Sequence, residues 1–499
     1  MTAIRDWRLS CLLAVMALML GACVSMPEFE AAEDDPPPVT PRYSLAELPH
    51  PQLVNELKFN GSPIGFTDLV VEPLPQHLYR IRSQAFMNLS LLGVKKVSVI
   101  NAISIVDARL QLRSFDYRYW VDGVRSHVRG RVDGLQLTAD VTRNGITDTH
   151  SLTLVRPVLP SAALPLYPVI NGLEIGSVYN FSIFDGDAIR VKVVEQTVEG
   201  YEQSNEADVN TFRILSNVQG QAVRTWTSAD ARPLFEASMG GMFTATYADA
   251  TATRLAMLDA VFDEHDDALE FRRVQTEGQL AAVVDAFAAE LLIDGGDFDL
   301  ELPSDHRQYC EREGMSWRCE VAAQPLDMRV DGIAYADSPT WLSDPPLGED
   351  VNAELSTILT TIGGESESSR VRLELLLAWL RTEIELEHDG PTELDTILVE
   401  HRANTRGQLA LMVALARRAG IPARVNAGLA YSAEQQSFVY RLWMQCWVDG
   451  LWRAIDPVRD VEPVDASYVA IGVGEVDHAA LSVLPSFGRM AVRLVRLHE

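Results

Sequence analysis

The sequence predicts an α+β protein in which an antiparallel β-rich N-terminal domain is followed by a domain that mixes helices with a sheet. Two observations lead to this prediction. Between residues 45 and 250, polar and apolar residues alternate in short segments that are separated by turn dipeptides such as Asn60-Gly61. After residue 346, the apolar residues recur at helical spacing. Apolar residues make up 47% of the 499 positions, which is enough to bury a core in two or three domains.

Residues 1–22 have the pattern of a secretory signal peptide. Arg5 and Arg8 precede the apolar run from Cys11 to Leu20, which is too short to span a bilayer. The run ends in Leu-Gly-Ala-Cys, which resembles a bacterial lipobox and implies cleavage before Cys23 and lipidation of its sulfur. The alternatives are an uncleaved anchor and plain secretion with a free Cys23.

The resemblance to lipoproteins also suggests a location. Val24-Ser25 follows Cys23, so no Asp lies next to the Cys. In this respect the sequence resembles lipoproteins that are sent to the outer membrane of Gram-negative cells. We therefore expect a cell-envelope protein that is anchored in the outer membrane through Cys23 and faces the periplasm. Residues 23–44 are acidic and then proline-rich, a composition that predicts an extended tether.

The charge balance limits the partners. The chain has 70 acidic and 42 basic residues, and its formal net charge is −28. Such acidity opposes binding to nucleic acid or to anionic lipid headgroups, so we expect no nucleic-acid partner. No Gly-rich phosphate loop and no nucleotide-binding fingerprint is present.

Residues 251–345 are predicted to form a mixed connecting region. Its apolar run from Leu280 to Leu292 favours a helix. Cys310 and Cys319 flank a polar segment that suits a hairpin, and a disulfide between them is expected in an oxidising periplasm, with two unpaired thiols as the alternative. The acidic residues at 294, 297, 299 and 301 do not have the spacing of a helix-loop-helix calcium site, so an acidic turn is favoured and no metal is expected.

Residues 346–499 follow a distinctive order. Helical patterns at 354–361 and 369–384 precede a third helix at 408–418, which is followed by Gly-Ile-Pro-Ala-Arg at 420–424. Two short strands around Asp449-Gly450 then end at Asp456-Pro457. This order resembles the core of the transglutaminase-like superfamily, which implies a papain-like α+β fold for this domain.

The resemblance also implies where catalytic groups would lie. Members of the superfamily place a Cys at the start of the third helix, a His two residues before a Trp on the first strand, and an Asp before Pro on the second strand. In this sequence those positions are Thr405, Arg441 (before Trp443) and Asp456. The family tends to have His where Tyr468 stands.

These substitutions remove the groups that acyl transfer needs. A Thr hydroxyl is a weak nucleophile without a general base. The guanidinium of Arg441 stays protonated at any pH that a protein survives, so it cannot act as that base. Asp456 is expected to pair with Arg441 instead. We therefore expect a degenerate triad, in which Thr and Arg replace the Cys and His of the family, with no catalytic residue and no cofactor.

Three neighbouring residues have structural interpretations. Thr405-Arg406-Gly407-Gln408 fits a capping box, with the Thr hydroxyl as helix cap. Cys446 lies five positions after Arg441 on the same strand, so it should face the opposite side as a buried apolar residue. His401 could supply a base to Thr405 from the preceding loop, although a cap and a base would compete for one hydroxyl.

The predicted function is a protein- or peptide-binding or scaffolding module. Its former active-site cleft, formed by Thr405, Arg441 and Trp443, would hold a peptide strand or a carboxylate. One alternative is a working acyl transferase or peptidase that uses Thr405. The other is an architectural protein whose β-rich domain carries the role.

Overall fold

A computed structural model describes residues 29–91, 94–121, 124–143, 145–205, 207–262, 273–278, 280–294, 301–314, 316–323, 341–343, 347–363, 368–487 and 490–498. The predicted signal peptide and Cys23 lie outside the described residues, as do the acidic residues at 297 and 299. The chain divides into two compact units: Met1–Tyr119 with Val124–Ala250, and Thr251–Glu499 with the short segment Trp120–Gly123. Strands predominate in the described chain, and most of its helices belong to the second unit.

The first unit is built from one large sheet. Its elements in chain order are β1 (Phe29–Ala31), β2 (Gln52–Phe59), β3 (Ser62–Leu74), β4 (Leu78–Leu91), β5 (Val94–Asp107), β6 (Leu112–Val121), β7 (Val124–Asp133), β8 (Gln136–Arg143), β9 (Ile146–Thr153), β10 (Leu159–Pro160), α1 (Tyr167–Asn171), β11 (Val178–Asp185), β12 (Arg190–Ser204), β13 (Val209–Val218), β14 (Gln221–Ser228), β15 (Pro233–Ser238) and β16 (Phe243–Tyr247).

The strand order of this sheet is β10-β11-β12-β13-β14-β15-β16-β2-β3-β4-β5-β6-β7-β8-β9, and β1 pairs with β12. The recorded pairs are antiparallel except β10 with β11, so the predicted antiparallel meander is confirmed. The Asn60-Gly61 turn joins β2 to β3 with φ of 48° and 81°, the left-handed conformation that a two-residue hairpin requires.

The sheet curls around a shared apolar core. Residues from both ends of the strand order belong to one buried cluster, including Leu137 and Val141 of β8, Leu159 of β10 and Phe184 of β11. A flat sheet would keep those strands far apart, so the strand order must bend back on itself. Part of the expected tether also pairs with this unit, because β1 hydrogen-bonds β12 and the Tyr43 amide donates to the Val169 carbonyl at 3.1 Å.

The second unit combines a sheet with helices. Its elements are α2 (Ala250–Phe262), β17 (Arg273–Glu277), β18 (Ala288–Asp294), β19 (Gln308–Glu313), β20 (Ser316–Ala322), α3 (Glu349–Thr361), α4 (Ser369–Glu383), β21 (Glu385–Leu386), α5 (Leu394–Glu400), β22 (Arg402–Ala403), α6 (Thr405–Arg418), β23 (Ala423–Ser432), β24 (Ser437–Val448), β25 (Leu451–Ile455), β26 (Val469–Gly474), α7 (Val476–Ser482) and β27 (Ala491–His498).

The main sheet of this unit has the order β19-β20-β18-β27-β17-β24-β23-β26, and β25 pairs with β24. The segment that was expected to connect two domains thus contributes β17 to β20 to the same sheet as β23 and β24. The late strand β27 lies between β18 and β17, antiparallel to the first and parallel to the second. β21 and β22 form a separate two-stranded parallel sheet.

The prediction of a helix from Leu280 to Leu292 is wrong. Only a single 3-10 turn, Leu280–Val283, forms there, and Ala288–Asp294 is strand β18. β18 pairs on both edges, and Ala288, Ala289, Leu291 and Ile293 are buried. Spacing alone does not distinguish a short apolar strand from a segment of a buried helix.

Two predicted hairpins are confirmed. β19 and β20 place Cys310 opposite Cys319, and the two residues form a disulfide. β24 and β25 are joined at Asp449 and Gly450, whose φ angles are 56° and 79°. Among the described residues, no helix has the length and apolar character needed to cross a bilayer.

Candidate functional site

The start of α6 differs by one residue from the predicted capping box. Asn404 is the N-cap, and its Oδ1 accepts a hydrogen bond of 2.8 Å from the Gly407 amide. Thr405 is therefore the first helical residue, and Gln408 donates to the Ile384 carbonyl at 3.4 Å instead of reaching back. Asn and Thr are both good caps, so the sequence did not decide between them.

Close backbone packing fixes the position of this helix end. A side chain at Gly407 would place its Cβ 2.4 Å from the Pro391 carbonyl oxygen. Next to it, Arg406 donates from Nε and Nη2 to both carboxylate oxygens of Asp259 at 2.7 and 2.9 Å, and from Nη1 to Asp477 at 2.7 Å. Arg406 thereby ties α6 to α2 and α7, while two carboxylates offset the placement of a cation at a helix N-terminus.

Thr405 is 8% exposed, and no hydrogen bond of its hydroxyl is recorded within the described part of the chain. The predicted alternative base, His401, terminates α5 in the left-handed conformation with φ of 55°. Its ring is exposed, and Nδ1 lies 3.2 Å from the Glu383 carbonyl. No hydrogen bond joins His401 to Thr405 among the described residues.

Asp456 and Arg441 are connected through Tyr468. The Tyr468 hydroxyl donates to Asp456 Oδ2 at 2.9 Å and accepts from Arg441 Nη1 at 3.2 Å. Their exposed fractions are 0% for Asp456, 1% for Tyr468 and 8% for Arg441. We call these three residues the buried polar chain. The direct pair expected between Arg441 and Asp456 is thus replaced by an arrangement bridged by Tyr468, which follows Asp456 by 12 residues and Arg441 by 27.

A second arginine completes the hydrogen bonding of Asp456. The backbone N–H of Arg459 donates to Oδ1 at 3.2 Å, and its Nη1 lies 3.4 Å from Oδ2. This carboxylate is fully buried, and its recorded donors are Tyr468 and Arg459. Asp456 therefore has the charge and hydrogen-bond partners that a buried carboxylate needs.

The electrostatic surroundings keep Tyr468 protonated. Burial raises the pKa of its phenol, and the negative charge of Asp456 raises it further against the opposing effect of Arg441. The phenol thus remains protonated near neutral pH, and a guanidinium offers only N–H donors. Neither group can accept a proton from a hydroxyl at the start of α6.

The sequence predicts that Trp443 lines an open cleft, but in the structure this residue is buried. Its side chain is 0% exposed and packs edge-on against Tyr468, with ring centroids 5.2 Å apart. Gly428 makes room for it, since a Cβ there would lie 2.9 Å from Trp443 Cη2 and 2.0 Å from the Val469 carbonyl oxygen. Nε1 of Trp443 and both side-chain polar atoms of Asn426, its cross-strand neighbour, have no partner among the described residues.

A segment before the disulfide hairpin packs against the strands of this site. Gln308 donates to the Ala470 carbonyl at 3.0 Å and accepts from the Ala470 amide at 2.8 Å. Arg307 is 4% exposed and donates to the Asp465 carbonyl at 2.8 Å, and burial lowers the pKa of its guanidinium. The bond to Asp465 places another cation beside the segment that leads to Tyr468. The sequence carried no signal for this contact.

The remaining thiol is not a substitute nucleophile. Cys446 is free and fully buried, as predicted, and burial raises the pKa of its thiol. A raised pKa disfavours the thiolate, which is the reactive form. No group of three or more His, Cys, Asp or Glu side chains gathers at metal-binding distance in the described residues.

Comparisons with known proteins identify the region that contains this site. Residues 357–457 match the model of the transglutaminase-like superfamily core. This stretch includes Thr405, Arg441 and Asp456, and the chain therefore contains a transglutaminase-like domain. None of the curated proteins matches the chain.

Two solved structures resemble parts of the chain. A beta-barrel-like protein with a domain of unknown function from Brucella abortus is 12% identical, with a TM-score of 0.31, and the match covers 39% of this chain and 93% of that one. A candidate cysteine protease from Cytophaga hutchinsonii is 13% identical, with a TM-score of 0.26, and the match covers 45% of this chain and 85% of that one.

Proposed function

We propose that the transglutaminase-like domain has lost catalysis and that the protein is a cell-envelope lipoprotein that acts as a protein- or peptide-binding or scaffolding module. The buried polar chain is the observation that carries this proposal. Two of its members, Arg441 and Asp456, stand where the resemblance places the base and its orienting acid, and neither the guanidinium of Arg441 nor the protonated phenol of Tyr468 is a base. Acyl transfer through a hydroxyl needs a group that takes up and returns a proton.

The hydrogen bonds of the chain support a structural role for these residues. Asp456 is held by Tyr468 and Arg459, and Arg441 is held by Tyr468. A charged side chain that is nearly buried and bonded to a neutral bridge stabilises one arrangement of the strands that carry it. The positions that once served chemistry would therefore maintain a rigid domain.

The burial of Trp443 favours scaffolding by the outer surface over binding inside the former cleft. Thr405 and Arg441 are each 8% exposed and Trp443 is 0% exposed, so little of their surface is open to a peptide. A partner would instead meet exposed elements near the start of α6, such as α5, whose Val399 is 80% exposed.

The envelope location rests on two observations. The N-terminal lipobox pattern ends at Cys23. The Cys310–Cys319 disulfide is of a kind that persists in oxidising compartments such as the periplasm. Metabolic labelling with palmitate, followed by fractionation of membranes, tests this part. The wild type should be labelled and found in the outer membrane, whereas C23S should be unlabelled and soluble. Label that persists in C23S would refute the anchor.

An activity assay tests the loss of catalysis. Purified protein is incubated with a glutamine-donor peptide, a primary amine and a casein digest, and ammonia release and new amino termini are measured. We expect the wild type and T405A to match heat-denatured protein, and T382A controls for a Thr→Ala change on an exposed helix face. Turnover that is abolished by T405A and kept by T382A would establish a working transferase or peptidase.

Photo-cross-linking in cells tests the binding role. A photoreactive residue is placed at Val399 in the second unit or at Val155, which is 98% exposed, in the first unit. A scaffold that uses the transglutaminase-like domain should give discrete adducts from position 399. Adducts from position 155 alone would instead support an architectural role of the β-rich unit.

A further inference from the structure

The first unit contains a cavity of about 610 Å³ that the proposed function does not use. This volume is typical of sites that bind small molecules. Its walls come from residues 42–44, the turn after β5, residues 156–159, α1 and the middle of β11. Three cations and three aromatic rings are among the lining residues: Arg42, Arg109, Arg156, Tyr43, Tyr167 and Phe181.

The three arginines form no ion pair with a carboxylate in the described part of the chain. Arg42 donates from Nε to the Ile170 carbonyl at 3.1 Å. Arg156 donates to Ser182 Oγ at 2.8 Å and to two backbone carbonyls of β11. No hydrogen bond of the Arg109 guanidinium is recorded among the described residues. Neutral acceptors leave a guanidinium charge uncompensated, so the cavity wall is positive.

Nearby carboxylates are already engaged by other groups. Asp107 Oδ2 accepts from Arg113 at 2.8 Å, and its Oδ1 accepts from the backbone amides of Arg109 and Gln111. Glu47 accepts from the Ser44 hydroxyl at 2.8 Å. Neither carboxylate lines the cavity. The chain as a whole has a net charge of −28, whereas the three arginines without acidic partners make the surroundings of this cavity positively charged.

Aromatic rings provide an apolar surface beside the cations. Tyr167 of α1 stacks on Phe181 of β11, with centroids 4.1 Å apart and an interplanar angle of 26°. Flat aromatic faces contact ring or acyl groups well, and guanidinium groups bind carboxylate or phosphate through paired N–H donors. The lining therefore combines the two kinds of contact that fix an amphipathic anion.

We propose that this cavity binds a small organic anion whose carboxylate or phosphate group meets Arg42, Arg109 and Arg156 while an apolar or aromatic part contacts Tyr167 and Phe181. The size of the cavity and the negative charge of the whole chain restrict the ligand to a compact molecule with one or two charges. A polyanion would be repelled by the rest of the surface. This site is independent of the transglutaminase-like domain and of its loss of catalysis.

Isothermal titration calorimetry of the full chain tests the proposal, with phenyl phosphate and benzoate as probes. Benzyl alcohol and inorganic phosphate serve as probes that lack the charge or the ring. The variant R42Q/R109Q removes two of the cations and keeps Arg156, whose hydrogen bonds hold β11. R131Q, a change at an exposed arginine of β7 outside the cavity, is the matched control. Circular dichroism checks that each variant is folded.

We expect at least one aromatic anion to bind with one-to-one stoichiometry, and affinity to fall about tenfold or more in R42Q/R109Q, because charge-assisted hydrogen bonds are lost. R131Q should bind as the wild type does. The proposal is overturned if neither aromatic anion binds at 10 mM or below, on the order of the weakest useful affinity. It is also overturned if R42Q/R109Q and R131Q bind alike, or if benzyl alcohol or inorganic phosphate binds as tightly as phenyl phosphate.

Discussion

Tyr468→Phe removes the single oxygen that joins Asp456 to Arg441 and leaves the ring in place. The hydroxyl makes bonds of 2.9 and 3.2 Å to these charged groups, and Tyr468 is 1% exposed. The ring contact with Trp443 should survive, because it involves the ring face and edge. The variant therefore isolates the polar bridge from the packing around it.

The magnitude follows from the two lost bonds. A hydrogen bond to a charged group contributes about 1.5–3 kcal/mol, and the loss of one bond from each of two buried charged groups adds a desolvation cost. Asp456 keeps two bonds from Arg459, which limits the damage on the acidic side. Neighbouring bonds are not additive, so we expect the free energy of unfolding of the second unit to fall by about 3 kcal/mol.

Urea unfolding followed by tryptophan fluorescence measures this change. The chain has two compact units, so two transitions are fitted, and hydrogen exchange of peptides from β24 and β25 assigns the transition of the second unit. Tyr431→Phe is the control. Tyr431 is half-buried, packs edge-on against Phe438 and has no recorded hydroxyl hydrogen bond in the described chain, so its change should stay within about 0.5 kcal/mol.

The comparison of Tyr468→Phe with Tyr431→Phe shows whether the Tyr468 hydroxyl stabilises the domain. If Tyr468→Phe destabilises the second unit no more than Tyr431→Phe does, the hydroxyl does not stabilise the domain. The proposed structural role of Arg441 and Asp456 would then be incorrect.

Three further predictions concern the second unit. Burial raises the pKa of the Cys446 thiol above its ordinary value of 9.0. The protonated thiol therefore contributes fully to the free energy of unfolding below pH 9, and this contribution is lost by about 1.4 kcal/mol per pH unit as pH rises. Denaturant titrations from pH 8 to 11 should show that the free energy of unfolding falls less steeply with pH in C446A than in the wild type, and equal slopes would contradict the prediction. Replacing Cys310 and Cys319 together by Ala should lower unfolding free energy by about 2–3 kcal/mol, since the bridge closes a short loop, and a thermal melt unchanged by reductant would argue against it. Arg406→Met should lower the free energy of unfolding by about 2 kcal/mol, because it leaves the partly buried carboxylate of Asp259 without its cation. Arg370→Met, which breaks an exposed ion pair with Glu374, should change this free energy by less than about 0.5 kcal/mol. Similar urea midpoints for the two variants would refute the distinction.

Local features of the second unit were predictable because their causes are local. The Asp449-Gly450 turn follows from residues that tolerate positive φ, and the disulfide follows from two cysteines at hairpin spacing. The start of α6 was displaced by one residue because Asn404 and Thr405 satisfy the same capping requirement.

Features that depend on distant residues were not predictable. Tyr468 lies between Arg441 and Asp456 only after β26 has joined the sheet, and the helix expected near Leu292 became a strand because β20 and β27 flank it. The burial of Trp443 likewise depends on Gly428 across the strand pair. Tertiary pairing overrides local preference at such positions.

The central place of β27 has a consequence for biosynthesis. Among the described residues, β18, β20 and β19 join the rest of their sheet through β27, residues 491–498, which are translated about 170 residues after β20. Until this strand leaves the ribosome, two half-sheets carry unpaired edges that invite association with other chains. A chaperone that covers these edges during synthesis would therefore matter more for this protein than for one whose late segments lie at the rim.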